Sequence, residues 1–124
     1  MNRITETRPS PIAGHWYSSN AQVLRTEINN VLNNASLPES GGKVIGLIAP
    51  HAGYVYSGPT AGFAFKSLQS CLSEGRTTVY LMGPSHRAWF DGVATGDFDM
   101  STPLGVVPTD TDRVRSLWAL GTHY

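Results

Sequence analysis

The chain has 124 residues, of which 40% are hydrophobic and 15% charged, with nine Lys and Arg balancing nine Asp and Glu. This length is enough for one domain with a sizeable core, and the composition is that of a globular protein. A formal charge of zero argues against a nucleic-acid binder and against a polybasic membrane anchor, because both need clustered basic residues.

The cysteine count and the hydropathy pattern bound the class of protein further. The single cysteine, Cys71, excludes an internal disulfide, and we expect it to pack on a helix. No segment reaches the roughly 18 consecutive apolar residues of a transmembrane helix. The polar N-terminus "MNRITETRPS" lacks the apolar core of a signal peptide. We therefore expect no membrane insertion and a location in the cytoplasm, or also in the nucleus.

The first half of the chain predicts a polar arm, a helix and a buried strand. Residues 1–13 indicate an extended arm, and the spacing of apolar residues predicts a helix over residues 20–33. Ser19 and Gln22 are placed as a capping box for this helix. The apolar face of the helix consists of Leu24, Ile28, Val31 and Leu32. The run "KVIGLIA", residues 43–49, predicts a strand that is covered on both faces.

The next segments predict a second helix and a second buried strand. A helix is expected over residues 57–72, with Pro59 in its first turn. Its predicted buried stripe consists of Ala61, Ala64, Phe65, Leu68 and Leu72. The run "TTVYLMG", residues 77–83, predicts a strand. Strand, helix and strand in this order predict a right-handed βαβ unit with parallel strands.

The last third of the chain predicts a strand pair followed by a helix. Alternating apolar residues interrupted by Gly and Asp over residues 91–107 predict two strands joined by a short turn. The segment "TDTDRVRSLWALG" predicts a helix that begins at Thr109 or Asp110 and ends at Gly121. Its predicted inner face consists of Val114, Leu117 and Trp118. These elements together indicate an α/β class.

Two histidines follow the two predicted strands. In open α/β sheets, ligands bind beyond the carboxyl ends of the strands, where His51 and His86 are expected. Imidazole is a ligand for zinc, copper, iron and nickel. Prolines 50 and 84 stiffen the backbone just before each ring, which a metal site needs. If the strands are neighbours, the two rings predict a metal site. A single histidine after a strand is more often a loop residue bonded to backbone.

Other side chains have two open interpretations. Trp16 and Tyr56 either pack in the core or line the cleft beside the histidines, where they offer a ring face and a phenol donor. His15 follows no predicted strand, and a surface or packing role is favoured for it. Ser85 stands beside His86, but adjacent residues rarely align as nucleophile and base.

Four segments together resemble the N-terminal portion of the Memo family (mediator of cell motility). They are "AGHWY" at 13–17, "IAPHAGYVYSG" at 48–58, "GPSH" at 83–86 and "STPLG" at 101–105. The resemblance implies a mixed central β-sheet flanked by helices, similar to class III extradiol dioxygenases. It also implies an iron or copper site in which His51 and His86 match two ligands. Trp16 and Tyr56 match residues that line the cleft.

The resemblance also implies functions, and the sequence departs from the family pattern at its C-terminal side. Family members are linked to phosphotyrosine-containing protein tails, cell motility, redox chemistry and metal homeostasis. They are considerably longer, and their cysteine ligand belongs to a C-terminal segment that this sequence lacks; Cys71 does not align with it. We therefore expect residues 1–124 to be the truncated N-terminal part of a single Memo-like domain. Three functions stay open: a metal-dependent oxidoreductase site, a non-catalytic binding module for phosphotyrosine peptides, and an inactive fragment.

Overall fold

A computed structural model describes residues 6–39, 42–69, 72 and 77–121. These residues form three helices and three short strands, so the structure is mixed α/β. They belong to two compact units. The helical unit comprises the described residues of 10–77 and 102–105, and the hairpin unit those of 1–9, 78–101 and 106–124. Cys71 lies outside the described residues.

Helix α1 spans Ala21–Asn34, which confirms the helix predicted from apolar spacing. The predicted capping box is wrong, because the N-cap is Asn20 and not Ser19. The side-chain oxygen of Asn20 accepts hydrogen bonds from the backbone N–H groups of Gln22 and Val23, both at 3.0 Å. Leu24 is buried, and the other residues of the predicted apolar face are half-buried. The face that α1 turns inward is therefore the one that its spacing predicts.

Helix α2 spans Tyr54–Ser67 and begins three residues before the predicted start. Pro59 consequently lies inside the helix, where it cannot donate a backbone hydrogen bond. The predicted buried stripe is confirmed only in part. The buried residues of α2 are Ser57, Gly58 and Gly62; of the predicted stripe, Ala61, Ala64 and Leu68 are half-buried, whereas Phe65 and Leu72 are exposed. Small residues take the inward positions because α1 approaches α2 too closely for large ones.

The contact between α1 and α2 is closest at Gly62. A Cβ atom added there would lie 2.6 Å from the carbonyl oxygen of Val31 and 3.0 Å from its carbonyl carbon. The backbones of the two helices therefore meet directly at this point. A cleft of about 130 Å³ lies beside the contact, and its walls are Val31, Asn34, Ala35, Pro59 and Phe63.

The two predicted buried strands are not present among the described residues. Residues 43–49 and 77–82 carry no strand, so the predicted βαβ unit is wrong. Ile45 is 97% exposed and Ile48 is 98% exposed, and Met82 is 90% exposed. A strand is held by hydrogen bonds to a neighbouring strand, and no described segment pairs with either run. The apolar composition of the two runs does not show whether a neighbouring strand is there to pair with them.

The strands that do form are short. Strand β1 (Thr7–Arg8) pairs in parallel with β2 (Asp99–Thr102), which is followed by β3 (Gly105–Val107); the strand order is β1-β2-β3. The predicted strand pair is confirmed at its C-terminal part, whereas residues 91–98 carry no strand. The predicted polar arm contributes β1. The guanidinium of Arg8 lies 5.5 Å from the centroid of the Phe98 ring, which is a cation–π distance.

Helix α3 spans Thr111–Trp118, which confirms the predicted C-terminal helix. The side chain of Asp110 accepts a hydrogen bond from the backbone N–H of Arg113 at 3.2 Å. Gly121 follows with a φ of 93°, the left-handed conformation that the predicted glycine end requires. The inner face is confirmed in part: Val114 and Trp118 are half-buried, but Leu117 is 40% exposed. None of the helices in the described part of the chain has the length and hydropathy needed to span a membrane.

The contact at Gly62 predicts opposite effects for two glycine substitutions in α2. Gly62→Ala places a methyl group against the Val31 backbone, so the helices must separate, at about 1–3 kcal/mol of unfolding free energy. Gly58→Ala is the matched control. Its methyl group meets only the Val31 side chain at 3.5 Å and the Tyr54 Cβ at 3.7 Å, and helix propensity favours alanine by up to about 1 kcal/mol.

Urea unfolding followed by circular dichroism measures both variants. Equal destabilisation by the two substitutions, or none by Gly62→Ala, would contradict the close approach of α1 and α2.

Candidate functional site

The loop that carries His51 is attached to the first turn of α2. The Gly53 carbonyl accepts hydrogen bonds from the N–H groups of Tyr56 at 2.9 Å and Ser57 at 3.1 Å. The buried hydroxyl of Ser57 donates to the Ala52 carbonyl at 2.8 Å. The backbone just after His51 is thus held on the helix, while His51 itself is exposed. The position of this loop follows from the start of α2.

A turn around Trp16 holds the same loop from the other side. The Ile12 carbonyl accepts from the N–H groups of His15 at 3.1 Å and Trp16 at 3.0 Å. The Trp16 carbonyl in turn accepts from the N–H of Tyr54 at 2.8 Å. A Cβ atom on Gly53 would lie 3.4 Å from the Trp16 oxygen, which is an ordinary van der Waals distance, so the two backbones lie close together here. The turn and the His51 loop are therefore in direct backbone contact.

The predicted cleft residues lie in two different units of the structure. His51, Trp16 and Tyr56 all belong to the helical unit. Trp16 is 45% exposed and Tyr56 is 84% exposed, so the interpretation of both as core residues is not supported. His86 belongs to the hairpin unit, where it is exposed at a bend. Next to it, the Ser85 hydroxyl donates to the Ala88 carbonyl at 2.6 Å and so takes part in the local turn.

The donor set can be compared with what iron or copper needs. Imidazole is a suitable ligand for both metals, and His51 and His86 are both exposed residues. Within residues 6–39, 42–69, 72 and 77–121, no group of three or more His, Cys, Asp and Glu side chains is placed to hold a metal ion. His51 and His86 each offer an imidazole nitrogen, which is a suitable donor for these metals. Their assignment as ligands stays a prediction.

Beside the His51 loop lies a cluster of aromatic and polar side chains that the sequence did not single out. The rings of Tyr17 and Tyr54 lie with centroids 5.5 Å apart at 41°. The Tyr17 hydroxyl forms a hydrogen bond with the Ser10 hydroxyl. One carboxylate oxygen of Glu27 is buried and has no hydrogen-bond partner among the described residues. A half-buried carboxylate thus lies near two phenols that are only partly covered.

This environment changes the acidity of Tyr54. Burial raises the pKa of the Tyr54 phenol above its usual 10.0, and unfavourable interactions with Tyr17 and Glu27 raise it further. Each of these three causes disfavours the phenolate. Tyr54 therefore stays a neutral hydrogen-bonding group beside the loop at any physiological pH.

Two signals in the sequence could have indicated this cluster. Glu27 stands three residues after Leu24 and four before Val31, so it interrupts the apolar face of the predicted helix. A helix start at Tyr54 would have put Ser57 in the first turn, where a hydroxyl reaches the preceding backbone. With the predicted helix start at residue 57, this hydrogen-bonding role of Ser57 was not predicted.

The raised pKa predicts how stability depends on pH. The protonated phenol is the form that the fold favours, so its contribution is complete below pH 10 and is lost as the pH rises through the folded-state pKa. Glu27→Gln removes one negative charge, so we expect a lower Tyr54 pKa, measured by phenolate absorbance. Tyr17→Phe, which removes the other interacting phenol, should also lower it. An unchanged Tyr54 pKa in both variants would contradict the cluster.

Comparison with known proteins shows which family the chain is similar to. The family model of Memo-like proteins matches residues 8–123. A MEMO1 family protein from Saccharomyces cerevisiae is 35% identical over 114 residues, covering 89% of this chain and 32% of the relative. The memo-1 homolog of Caenorhabditis elegans is 40% identical over 105 residues, covering 84% of this chain and 29% of the relative.

An archaeal relative gives the same result. A MEMO1 family protein from Methanocaldococcus jannaschii is 37% identical over 125 residues, covering 95% of this chain and 42% of the relative. The chain therefore spans between about three and four tenths of the length of these curated relatives. Because the family model covers almost all of it, the chain belongs to the Memo family.

Proposed function

We propose that this chain contributes His51 and His86 as ligands to a Memo-type cleft that binds iron or copper, with Trp16 and Tyr56 along its walls. Membership of the family supports the proposal, because both histidines stand within the segments that carry the resemblance. The observation on which it rests most is the His51 loop. Its backbone is held by the Ser57 hydroxyl and by the contact between Gly53 and Trp16, while His51 is exposed.

A held backbone favours metal binding for an entropic reason. A ligand on a mobile loop must be ordered when the ion binds, and that ordering opposes binding. The hydrogen bond from Ser57 to the Ala52 carbonyl and the one from Tyr54 to the Trp16 carbonyl restrict the loop in advance. The chain's own contribution is therefore to hold the backbone next to the imidazole, and the backbone N–H of Tyr54 takes part in this.

The redox chemistry and the cellular role that we propose are inferred from the family resemblance. Two histidines with one anionic ligand leave positions open for substrate on a non-haem metal. The third ligand would come from outside the described residues. A bound iron or copper ion would supply redox chemistry, in a fold similar to class III extradiol dioxygenases. We propose the same links to motility and metal homeostasis, in the cytoplasm or nucleus.

Metal titration tests the ligand assignment. We expect His51→Ala and His86→Ala each to weaken binding of Cu(I) or Fe(II) at least about 10-fold, since even changes to groups that only support ligands weaken it by that much. His15→Ala is the matched control, because it removes an exposed histidine that follows neither predicted strand. Binding that none of the three substitutions changes, or that His15→Ala weakens equally, would contradict the assignment.

A second candidate function is recognition of a phosphotyrosine-containing protein tail without turnover. The observation that favours it is the exposure of two aromatic side chains, Trp16 and Tyr56, in the unit that also carries His51. An exposed indole can stack on the ring of a phosphotyrosine, and a protonated imidazole can donate a charged hydrogen bond to its phosphate. This module would bind in the same cleft as the metal.

Competition between ligands tests this candidate. We expect added Cu(I) to weaken the binding of a phosphotyrosine peptide, followed by tryptophan fluorescence, and Trp16→Phe to weaken it as well. The unphosphorylated peptide is the control. Peptide affinity that is independent of metal would mean separate sites. If the chain binds neither metal nor peptide, the remaining interpretation is an inactive fragment.

A further inference from the structure

Ser10 stands between two prolines in the segment that follows β1. The strand ends two residues before it, and residues 9 and 10 carry neither helix nor strand. Pro9 and Pro11 cannot donate backbone hydrogen bonds, and a residue before proline prefers an extended backbone. Ser10 is half-buried, whereas residues 6–9 and 11–12 are exposed. The segment around this hydroxyl is therefore irregular and mostly open to solvent.

The Ser10 hydroxyl attaches this segment to the turn around Trp16. It forms a hydrogen bond with the Tyr17 hydroxyl, and the Tyr17 ring lies against the Tyr54 ring with centroids 5.5 Å apart. The Tyr17 carbonyl accepts from the N–H of Gly14 at 2.8 Å, which closes the turn. Tyr54, the first residue of α2, donates its N–H to the Trp16 carbonyl at 2.8 Å. Through Tyr17, the Ser10 hydroxyl thus supports the contact between this turn and α2.

A phosphate group on Ser10 would remove this support. It would replace the hydroxyl proton and bring a charge of about −1.5 to −2 at pH 7. The Glu27 carboxylate and the Tyr17 phenol both disfavour the phenolate of Tyr54, so these surroundings are already unfavourable for a further anion. One hydrogen bond from the neutral Tyr17 phenol does not offset the cost of holding a dianion at a half-buried position. The phosphate therefore draws Ser10 away from Tyr17 and into water.

We propose that Ser10 is a phosphorylation site of a proline-directed protein kinase, and that phosphorylation releases the turn around Trp16 from α2. The Ser10 oxygen attacks the γ-phosphorus of ATP; the new O–P bond forms, the bond to the β,γ-bridging oxygen breaks, and ADP and the hydroxyl proton leave. Pro11 is the recognition element, because a proline directly after the serine presents its ring and no N–H to the kinase. The inference goes beyond the proposed metal site and stands without it.

A second site in the chain serves as an internal comparison. Of the eight prolines, only Pro11 and Pro103 follow a residue with a hydroxyl group. Thr102, before Pro103, ends β2, and the chain turns back at once into β3. Its hydroxyl donates to the Gly105 carbonyl at 3.2 Å and accepts from the Leu104 N–H at 3.1 Å. A kinase that binds its substrate as an extended segment must first open this turn.

Phosphorylation of the full 124-residue chain tests the site. The probe is ATP with a mitogen-activated protein kinase, and mass spectrometry of peptides locates the phosphate. We expect Ser10 to be modified at least about 10-fold faster than Thr102, and Pro11→Ala to slow this reaction at least about 10-fold. Pro103→Ala is the matched control and should leave the rate at Ser10 unchanged. No phosphate at Ser10, an equal rate at Thr102, or a rate that Pro11→Ala does not change would overturn the site.

Hydrogen exchange of the phosphorylated chain tests the release of the turn. The Tyr54 amide reports on it, because this N–H donates to the Trp16 carbonyl. We expect its exchange to become at least about 10-fold faster after phosphorylation of Ser10, while the amides in the centre of α1 stay unchanged. Ser10→Ala removes the hydrogen bond without adding charge, so it should give a smaller increase. Unchanged or slower exchange at Tyr54, or an equal increase in α1, would overturn the release.

Discussion

The direct backbone contact between α1 and α2 is the constraint on which the helical unit depends. A Cβ atom at Gly62 would lie 2.6 Å from the Val31 carbonyl oxygen, so only glycine allows this separation. The close approach explains why the inward positions of α2 are Ser57, Gly58 and Gly62 and not its large apolar residues. Packing at this distance brings many atoms of the two helices into van der Waals contact.

The position of α2 in turn determines the His51 loop. The first turn of the helix supplies the Ser57 hydroxyl that holds the Ala52 carbonyl, and it supplies the Tyr54 N–H that holds the turn around Trp16. The loop is thereby held by these hydrogen bonds, and His51 lies exposed in it. In this account the helix pair performs no chemistry. In the function that we propose, its role would be to hold the backbone next to one histidine, and the other ligands would come from other segments.

The parts of the fold that local interactions determine could be predicted from the sequence. Helix α1 was predicted within one residue and the start of α3 within a residue or two, because apolar spacing and polar caps such as Asp110 act within one turn. The strands could not be predicted in the same way. Residues 43–49 have the right composition, but a strand also needs a partner, which composition does not reveal. At the site, His51 and His86 stay sequence predictions. The position of Glu27 in the apolar face of α1 is visible in the sequence, but the burial of its oxygen, without a partner among the described residues, is visible only in the structure.

The central claim, that the backbones of α1 and α2 meet at Gly62, can be tested by a proton–proton distance measurement in solution. Nuclear Overhauser spectra of the isotope-labelled chain should show cross-peaks between the α-protons of Gly62 and the protons of Val31, since these backbones lie within a few ångströms of each other. Strong cross-peaks between the two residues are the predicted result. Spectra in which both helices are formed but Gly62 shows no contact with Val31 would contradict the account.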